Sequence, residues 1–388
     1  MTIDFTTPIE LTPVVKNYGW GKCGSESLVA KLSREEFKQD TPYAELWLGA
    51  HPSGSATCNL WGEKLTLYDL ISQYPEKILG DSAYQRFGAR LPFLFKVLSV
   101  AHPLSIQLHP NMAAAARLNQ NAPTHYPDPF HKPELALALE RCEFLWGFRT
   151  QQQVAAFLRN VPELSMILNI KESDIDHINI SDLYRRLFHS SPSIIESASL
   201  ALFRRLESLD TLSNEEKWVL KLSEIYPKGD IGIFSLFFLN LLELKPGDAI
   251  FTPPGVVHAY LSGQLAECMA ASDNVVRAGL TSKFCDVETL LELADYSATM
   301  PNIFPASALA DKILTPEFQI KEITGNTKIT LLKRDSVQIL FSASAEGEIK
   351  TADKSARVFP GTSLLFPANT PEFQVIISSG TAFHIIIP

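Results

Sequence analysis

The 388-residue chain has little cysteine: Cys23, Cys58, Cys142, Cys268 and Cys285 are odd in number and scattered, with no C-x-x-C pair. That disfavours a disulfide framework or a cysteine zinc ribbon and fits a reducing compartment. Positive charge is also short, with 34 Lys and Arg against 43 Asp and Glu, a net charge of −9. Nucleic acid and anionic membranes are therefore disfavoured as general partners, although a local cationic pocket can still serve an anionic small molecule. The N-terminus has no basic region followed by an apolar core, so no secretory leader is expected. The longest apolar tract, Ile231 to Leu244, is interrupted by Ser235, Asn240 and Glu243. It is too short and too polar to cross a bilayer. A cytoplasmic location is expected. No glycine-rich phosphate or nucleotide loop is present.

At 46% hydrophobic and 20% charged, the chain reads as globular, with one to three domains. Residues 1–150 read mainly as short strands, among them Leu91 to Val100, Leu104 to His109 and Leu135 to Leu139, with helices over Leu65 to Ile71 and Met112 to Asn121. From 151 to 229 the segments are helix-length. Ile194, Ala198, Leu202 and Leu206 recur there at helical spacing, which predicts a helical domain. Strand signals return over 230–300, completing the first region, and 301–388 reads as a separate β domain without metal ligands. The expected fold class is mainly β with a helical insertion, built on barrel-type units. A weak repeat supports two such units. Gly247-Asp248-Ala249-Ile250-Phe251-Thr252-Pro253 matches Gly361-Thr362-Ser363-Leu364-Leu365-Phe366-Pro367 in glycine, proline and spacing, with His258 in the first copy where Glu372 stands in the second.

Four residues suggest chemistry. Gln107 and His109 lie two apart in a strand-like run and so share one face with Ser105. Glu134 begins a strand whose same-face neighbours are the small Ala136 and Ala138. His258 ends the string G-x5-P-x-G-x2-H, which resembles the second sequence motif of the cupin superfamily. Two imidazoles, a carboxylate and an amide oxygen suit Zn²⁺, while Fe²⁺ or Mn²⁺ also fit such a shell. Taken singly, His258 reads equally well as a core histidine and Gln107 better as a hydrogen-bonded strand glutamine. Only the set of four points to a metal-assisted enzyme.

Longer strings extend the pattern: Lys16-Asn17-Tyr18-Gly19-Trp20-Gly21, Ala44-Glu45-Leu46-Trp47-Leu48-Gly49-Ala50-His51-Pro52 and Leu91-Pro92-Phe93-Leu94-Phe95-Lys96-Val97-Leu98. They continue with Pro103-Leu104-Ser105-Ile106-Gln107-Leu108-His109-Pro110, His131-Lys132-Pro133-Glu134-Leu135 and Ser272-Asp273-Asn274-Val275-Val276-Arg277-Ala278-Gly279-Leu280-Thr281. Together they resemble the type I mannose-6-phosphate isomerases (phosphomannose isomerases), zinc enzymes of the cupin superfamily. The resemblance implies cupin-type jelly-roll units and one Zn²⁺ per chain on Gln107, His109, Glu134 and His258. It makes Arg277 the active-site arginine and gives Lys132, His131, Glu267 and Asp273 to proton transfer or ring opening. Trp20 becomes a pocket aromatic.

The implied reaction interconverts mannose 6-phosphate and fructose 6-phosphate through a cis-enediol. Glu267, Lys132 and His131 all remain candidates for the base, and Ser105, Lys96 and Lys283 are candidates for the phosphate. The expected partner is a phosphorylated sugar, met by a monomer. The alternatives are a cupin-type metal-dependent dioxygenase and a sugar-binding regulatory β-barrel.

Overall fold

The computed structural model describes residues 5–60, 62–298, 300–351 and 355–388. Helix and strand each take about a third of the chain, so the mainly-β expectation is corrected to a mixed α and β architecture. The excess helix comes from short segments in the first region, such as Leu28–Leu32, Pro75–Leu79 and Asp81–Phe87. These are five to seven residues long and lie in the connections between strands, too short for a periodicity to announce them. No described helix is long and apolar enough to cross a membrane.

The largest sheet has the order Ile303–Pro305, Asp248–Thr252, Glu134–Ala138, His258–Ala270, Phe93–Val100, Glu45–Leu48 and Val14–Lys16, all antiparallel. The long strand His258–Ala270 also pairs through its first half with Cys142–Phe148 and Ile106–Leu108. Among the described residues these pairings do not close into a barrel. Gly263, at φ +116°, marks the break between the two halves of that strand, and a Cβ there would meet the Cys142 sulfur at 2.5 Å. Only glycine fits that point.

Strand Glu134–Ala138 divides its neighbours as its alternation predicts. Leu135 and Leu137 join one core with Phe95, Phe341 and Phe383, while Ala136 and Ala138 join another with Phe144, Trp146 and Tyr260. The first of these cores joins the large sheet to a five-stranded sheet made of Ile9–Glu10, Ser363–Phe366, Gln338–Ser342, Thr381–Ile386 and Gln319–Thr324. A four-stranded sheet shares a further core with the other face of that five-stranded layer, through Leu340, Phe366, Phe373 and Val375.

Helices Gln151–Asn160, Pro162–Leu168, Ile180–Phe188, Pro192–Glu207 and Asn214–Ile225 follow the first strands. Thr150 with Gln153, and Ser213 with Glu216, form capping boxes that fix two of their starts. Ile195, Ala198, Leu202 and Leu206 face the core, whereas Ile194 is exposed. The stripe is thus one residue out of phase at its first turn. These helices share a core with Ile106, Leu108, Val276 and Ala278, the back faces of two strands of the site. Burying each such large side chain contributes about 1.5–3 kcal/mol.

The repeat extends to the backbone. Gly247 and Gly361 both have positive φ, as do Gly255 and its counterpart Asn369. Val256 donates its N–H to the Pro253 carbonyl and Thr370 donates to that of Pro367; Gly255 donates to His109 and Asn369 to Arg334. By that correspondence Arg334 occupies the place of His109.

Candidate metal centre and active site

Strand Ile106–Leu108 buries Ile106 and Leu108 and leaves Gln107 half-buried on the other face. In the sheet, Gln107 is paired with His258 on one side and with Arg277 on the other. Directly paired residues project to the same face, so three functional side chains are brought abreast by register alone. His109 follows at the strand's end. Pro133 precedes Glu134, whose strand lies between Asp248–Thr252 and His258–Ala270. The turn that delivers His258 is tied to the other histidine, because the Gly255 N–H donates to the His109 carbonyl at 2.8 Å.

His109, Glu134 and His258 are buried, and one donor atom of each lies within 4.8 Å of the others. His109 Nε2 is 3.1 Å from one Glu134 oxygen, and His258 Nε2 is 3.4 Å from the other. Both ring nitrogens and Glu134 Oε2 nevertheless lack a hydrogen-bond partner. The other nitrogens are engaged: His109 Nδ1 donates to the Asn274 carbonyl at 2.8 Å, and His258 Nδ1 to the Val256 carbonyl at 2.9 Å. Each Nε2 therefore carries a free lone pair, the tautomer a metal ligand needs. Burial lowers the His109 pKa to about 4 against the pull of Glu134. Burial alone would raise Glu134, but His109 and Lys132 outweigh it and hold the carboxyl well below its ordinary value. A tetrahedral zinc shell with bonds of about 2.0–2.2 Å sets donor atoms roughly 3.3–3.6 Å apart, so the three residues fit zinc.

Beside them opens a cavity of about 320 Å³. Ten of the residues singled out in the sequence line it: Trp20, Lys96, Ser105, Gln107, Lys132, Glu134, Glu267, Asp273, Arg277 and Lys283. Ser105 Oγ donates to Gln107 Oε1 at 2.8 Å, and Lys132 Nζ is 3.3 Å from Glu134. Trp20 stacks on Tyr18 at 5.9 Å. His131 is not on the wall; its ring is 2.8 Å from Glu317, far along the chain.

Charge on the wall is unevenly paired. Lys96 is bound to Glu267 at 2.9 Å, and Tyr260 donates its hydroxyl to the other Glu267 oxygen at 2.8 Å. Asp273 lies 3.4 Å from His51 Nε2. The Ser53 N–H reaches His51 Nδ1, which places the proton of the neutral ring on Nε2, toward Asp273. Arg277 and Lys283 have no carboxylate within ion-pairing distance among the described residues. Burial lowers the pKa of both, and for Lys283 the nearby Arg277 adds to the effect.

Sequence reasoning passed over Tyr260, Glu45, Trp47 and His51. Tyr260 was within reach, since it sits two residues beyond His258 on one strand. Trp47 donates its indole N–H to Glu45, also two residues away. His51 gave no local signal, because its partner Asp273 lies on a remote segment.

Comparison with known proteins places this geometry. Residues 9–151 match the family model of the phosphomannose isomerase type I catalytic domain. The chain is 37% identical to mannose-6-phosphate isomerase of Mus musculus, covering 92% of this chain and 93% of that protein. It is 39% identical to the Homo sapiens protein of the same name, over 85% and 86%. The crystal structure of mannose 6-phosphate isomerase from Salmonella typhimurium, bound to its substrate fructose 6-phosphate and to zinc, superposes with a TM-score of 0.83 at 29% identity, over 98% of this chain and 99% of that one. With relatives this similar over nearly its whole length, the chain belongs to the type I mannose-6-phosphate isomerase family.

Proposed function

We infer that the chain interconverts mannose 6-phosphate and fructose 6-phosphate, using one zinc ion held by His109, Glu134 and His258 with the Gln107 amide oxygen as fourth ligand. One observation carries this reading: buried His109, Glu134 and His258 bring donor atoms within 4.8 Å of one another, both ring Nε2 atoms being without hydrogen-bond partners, beside a cavity lined by Arg277 and Lys283, which have no carboxylate within ion-pairing distance among the described residues. Zinc, when bound, supplies Lewis-acid stabilisation for the negative charge that gathers on the sugar's C1 and C2 oxygens.

The chain's own residues do the rest. Aldose–ketose exchange moves one proton between C1 and C2, which a single base on one face can take and return. Glu267 is the candidate best supported, being a carboxylate on the wall whose two oxygens are oriented by Lys96 and Tyr260. Lys132, close to Glu134, serves as a donor to the sugar oxygens. His131 acts from behind the wall, holding its segment to Glu317. Asp273 with His51 is suited to moving the proton that opens the sugar ring. Arg277, beside Gln107 in the sheet, steadies the developing oxyanion. Lys283 is the better cation for the phosphate, because Lys96 is already committed to Glu267; Ser105 would have to release Gln107 Oε1 before its one hydroxyl proton could serve there.

The same reading assigns cupin-type units to 1–150 with 230–300 and to 301–388, with 151–229 as a helical domain. The matched turns at Gly247 and Gly361 support the pairing of units. A monomer in the cytoplasm is proposed on the same footing; the scattered thiols support the compartment, and light scattering tests the monomer.

The deciding experiment is a coupled assay from mannose 6-phosphate to fructose 6-phosphate before chelation, after chelation, and after zinc is restored. Turnover should vanish and return. Undiminished turnover in the fully metal-free protein would refute the zinc reading, and oxygen uptake in place of isomerisation would refute the reaction.

A further inference from the structure

Asp128 lies outside the cavity wall. Yet four hydrogen bonds converge on its carboxylate. Oδ1 accepts from Ser272 Oγ at 2.8 Å, from the Phe130 N–H at 3.0 Å and from Asn274 Nδ2 at 3.1 Å. Oδ2 accepts from the Asp273 N–H at 2.8 Å. Asn274 Nδ2 also donates to the carbonyls of Asp128 and Phe130, at 2.7 and 2.9 Å. The loop around 128–130 and the turn 272–274 are therefore bound together around one side chain.

That turn carries two working groups. The Asn274 carbonyl accepts His109 Nδ1–H, the bond that leaves His109 Nε2 free for a metal. Asp273 presents its carboxylate to the cavity from the same turn. We propose that Asp128 is a positioning residue that sets a metal ligand and a wall carboxylate together. Outer partners of ligating histidines fix the ring's tautomer and direction, and losing one typically costs about 10- to 100-fold in metal affinity or activity. The part concerning Asp273 rests on the isomerase reading above; the hold on His109 does not.

The asymmetry of the four bonds supplies the test. Asp128→Ala removes all of them. Asp128→Asn retains an oxygen for the three donors at Oδ1 and turns its NH2 against the Asp273 N–H, two donors face to face. Zinc affinity is measured by competition with a chromophoric chelator, kcat and KM by the coupled assay, and fold by thermal unfolding. Asp128→Ala is expected to weaken zinc binding about 10- to 100-fold. Asp128→Asn is expected to bind zinc within about threefold of the parent and to lose about tenfold or more in kcat, with KM moving less. This split is one that general loosening would not produce.

Asp128→Asn decides the matter even if Asp128→Ala does not fold. Parental kcat in that variant overturns the proposal. So does a fall of zinc affinity, kcat and thermal stability in step, which marks a merely structural residue. If the parent chain itself fails to isomerise, the isomerase reading falls. The zinc affinities of the two variants then judge the hold on His109 alone.

Discussion

Lys96 and Glu267 sit opposite each other on neighbouring antiparallel strands, and their side chains form a buried ion pair of 2.9 Å on the cavity wall. Burial alone would lower the Lys96 pKa, but Glu267, Glu45 and Glu134 outweigh it and hold the ammonium well above its ordinary value. Removing one partner of a buried pair strands the other charge, at a cost of about 3–5 kcal/mol. Lys96→Met should therefore lose stability on that scale and most activity, and Lys96→Met with Glu267→Gln should recover much of the stability. Denaturant unfolding of the parent, Lys96→Met, Glu267→Gln and the double variant measures the coupling. A single substitution costing under about 1 kcal/mol would mean the pair is solvated.

Arg277→Ala should lower kcat by about 10²–10³, the usual effect of deleting a group that stabilises transition-state charge. Zinc per chain should stay at the parental level, because Arg277 adjoins Gln107 in the sheet and, as a guanidinium, offers no lone pair to a cation. Metal analysis alongside kinetics checks both halves, and retained turnover would remove Arg277 from the mechanism.

His258→Ala should lose zinc and turnover together. The fall in affinity should exceed the roughly 10–100-fold cost of losing an outer partner. One equivalent of zinc surviving dialysis in that variant would contradict the ligand assignment.

His384 offers a pH test away from the site. Burial, with help from Lys321 and Arg334, lowers its pKa to about 3. The unfolded chain then binds the extra proton first, so the contribution is complete above pH 6.5 and is lost as pH falls toward 3. Between pH 7.5 and 5 the loss amounts to about 2 kcal/mol. Unfolding at the two pH values should give a smaller difference for His384→Gln by that amount. Equal differences would show that His384 is not held neutral.

The cluster of His109, Glu134 and His258, with Gln107 beside it, was legible because strand alternation and turn chemistry are local. Gln107 and His109 are two apart, and Gly255 imposes a positive φ just before His258. Most helix positions were legible for the same reason, as with Met112–Asn121. Long-range partners were not. Ile9–Glu10 pairs with Ser363–Phe366 across nearly the whole chain, and neither segment advertises the other. His131 shows the same limit. As an imidazole near Glu134 it reads as a catalytic candidate, but Glu317 draws its ring to a segment that local patterns cannot connect. Ile194 failed for a subtler reason, since a hydrophobic residue in a helix's first turn satisfies the spacing without reaching the core.

The phenylalanine next to Lys96 points the other way, and Phe95 rests against Phe341 at 5.1 Å and Phe383 at 6.0 Å. Leu135 and Leu137, neighbours of Glu134, join the same core. The strands that carry the chemistry thus have their greasy reverse sealed by the tail of the chain. Trimming the protein to a minimal catalyst by cutting near residue 300 would bare that reverse to water and invite precipitation. Any smaller engineered version must repaint those positions with polar side chains first.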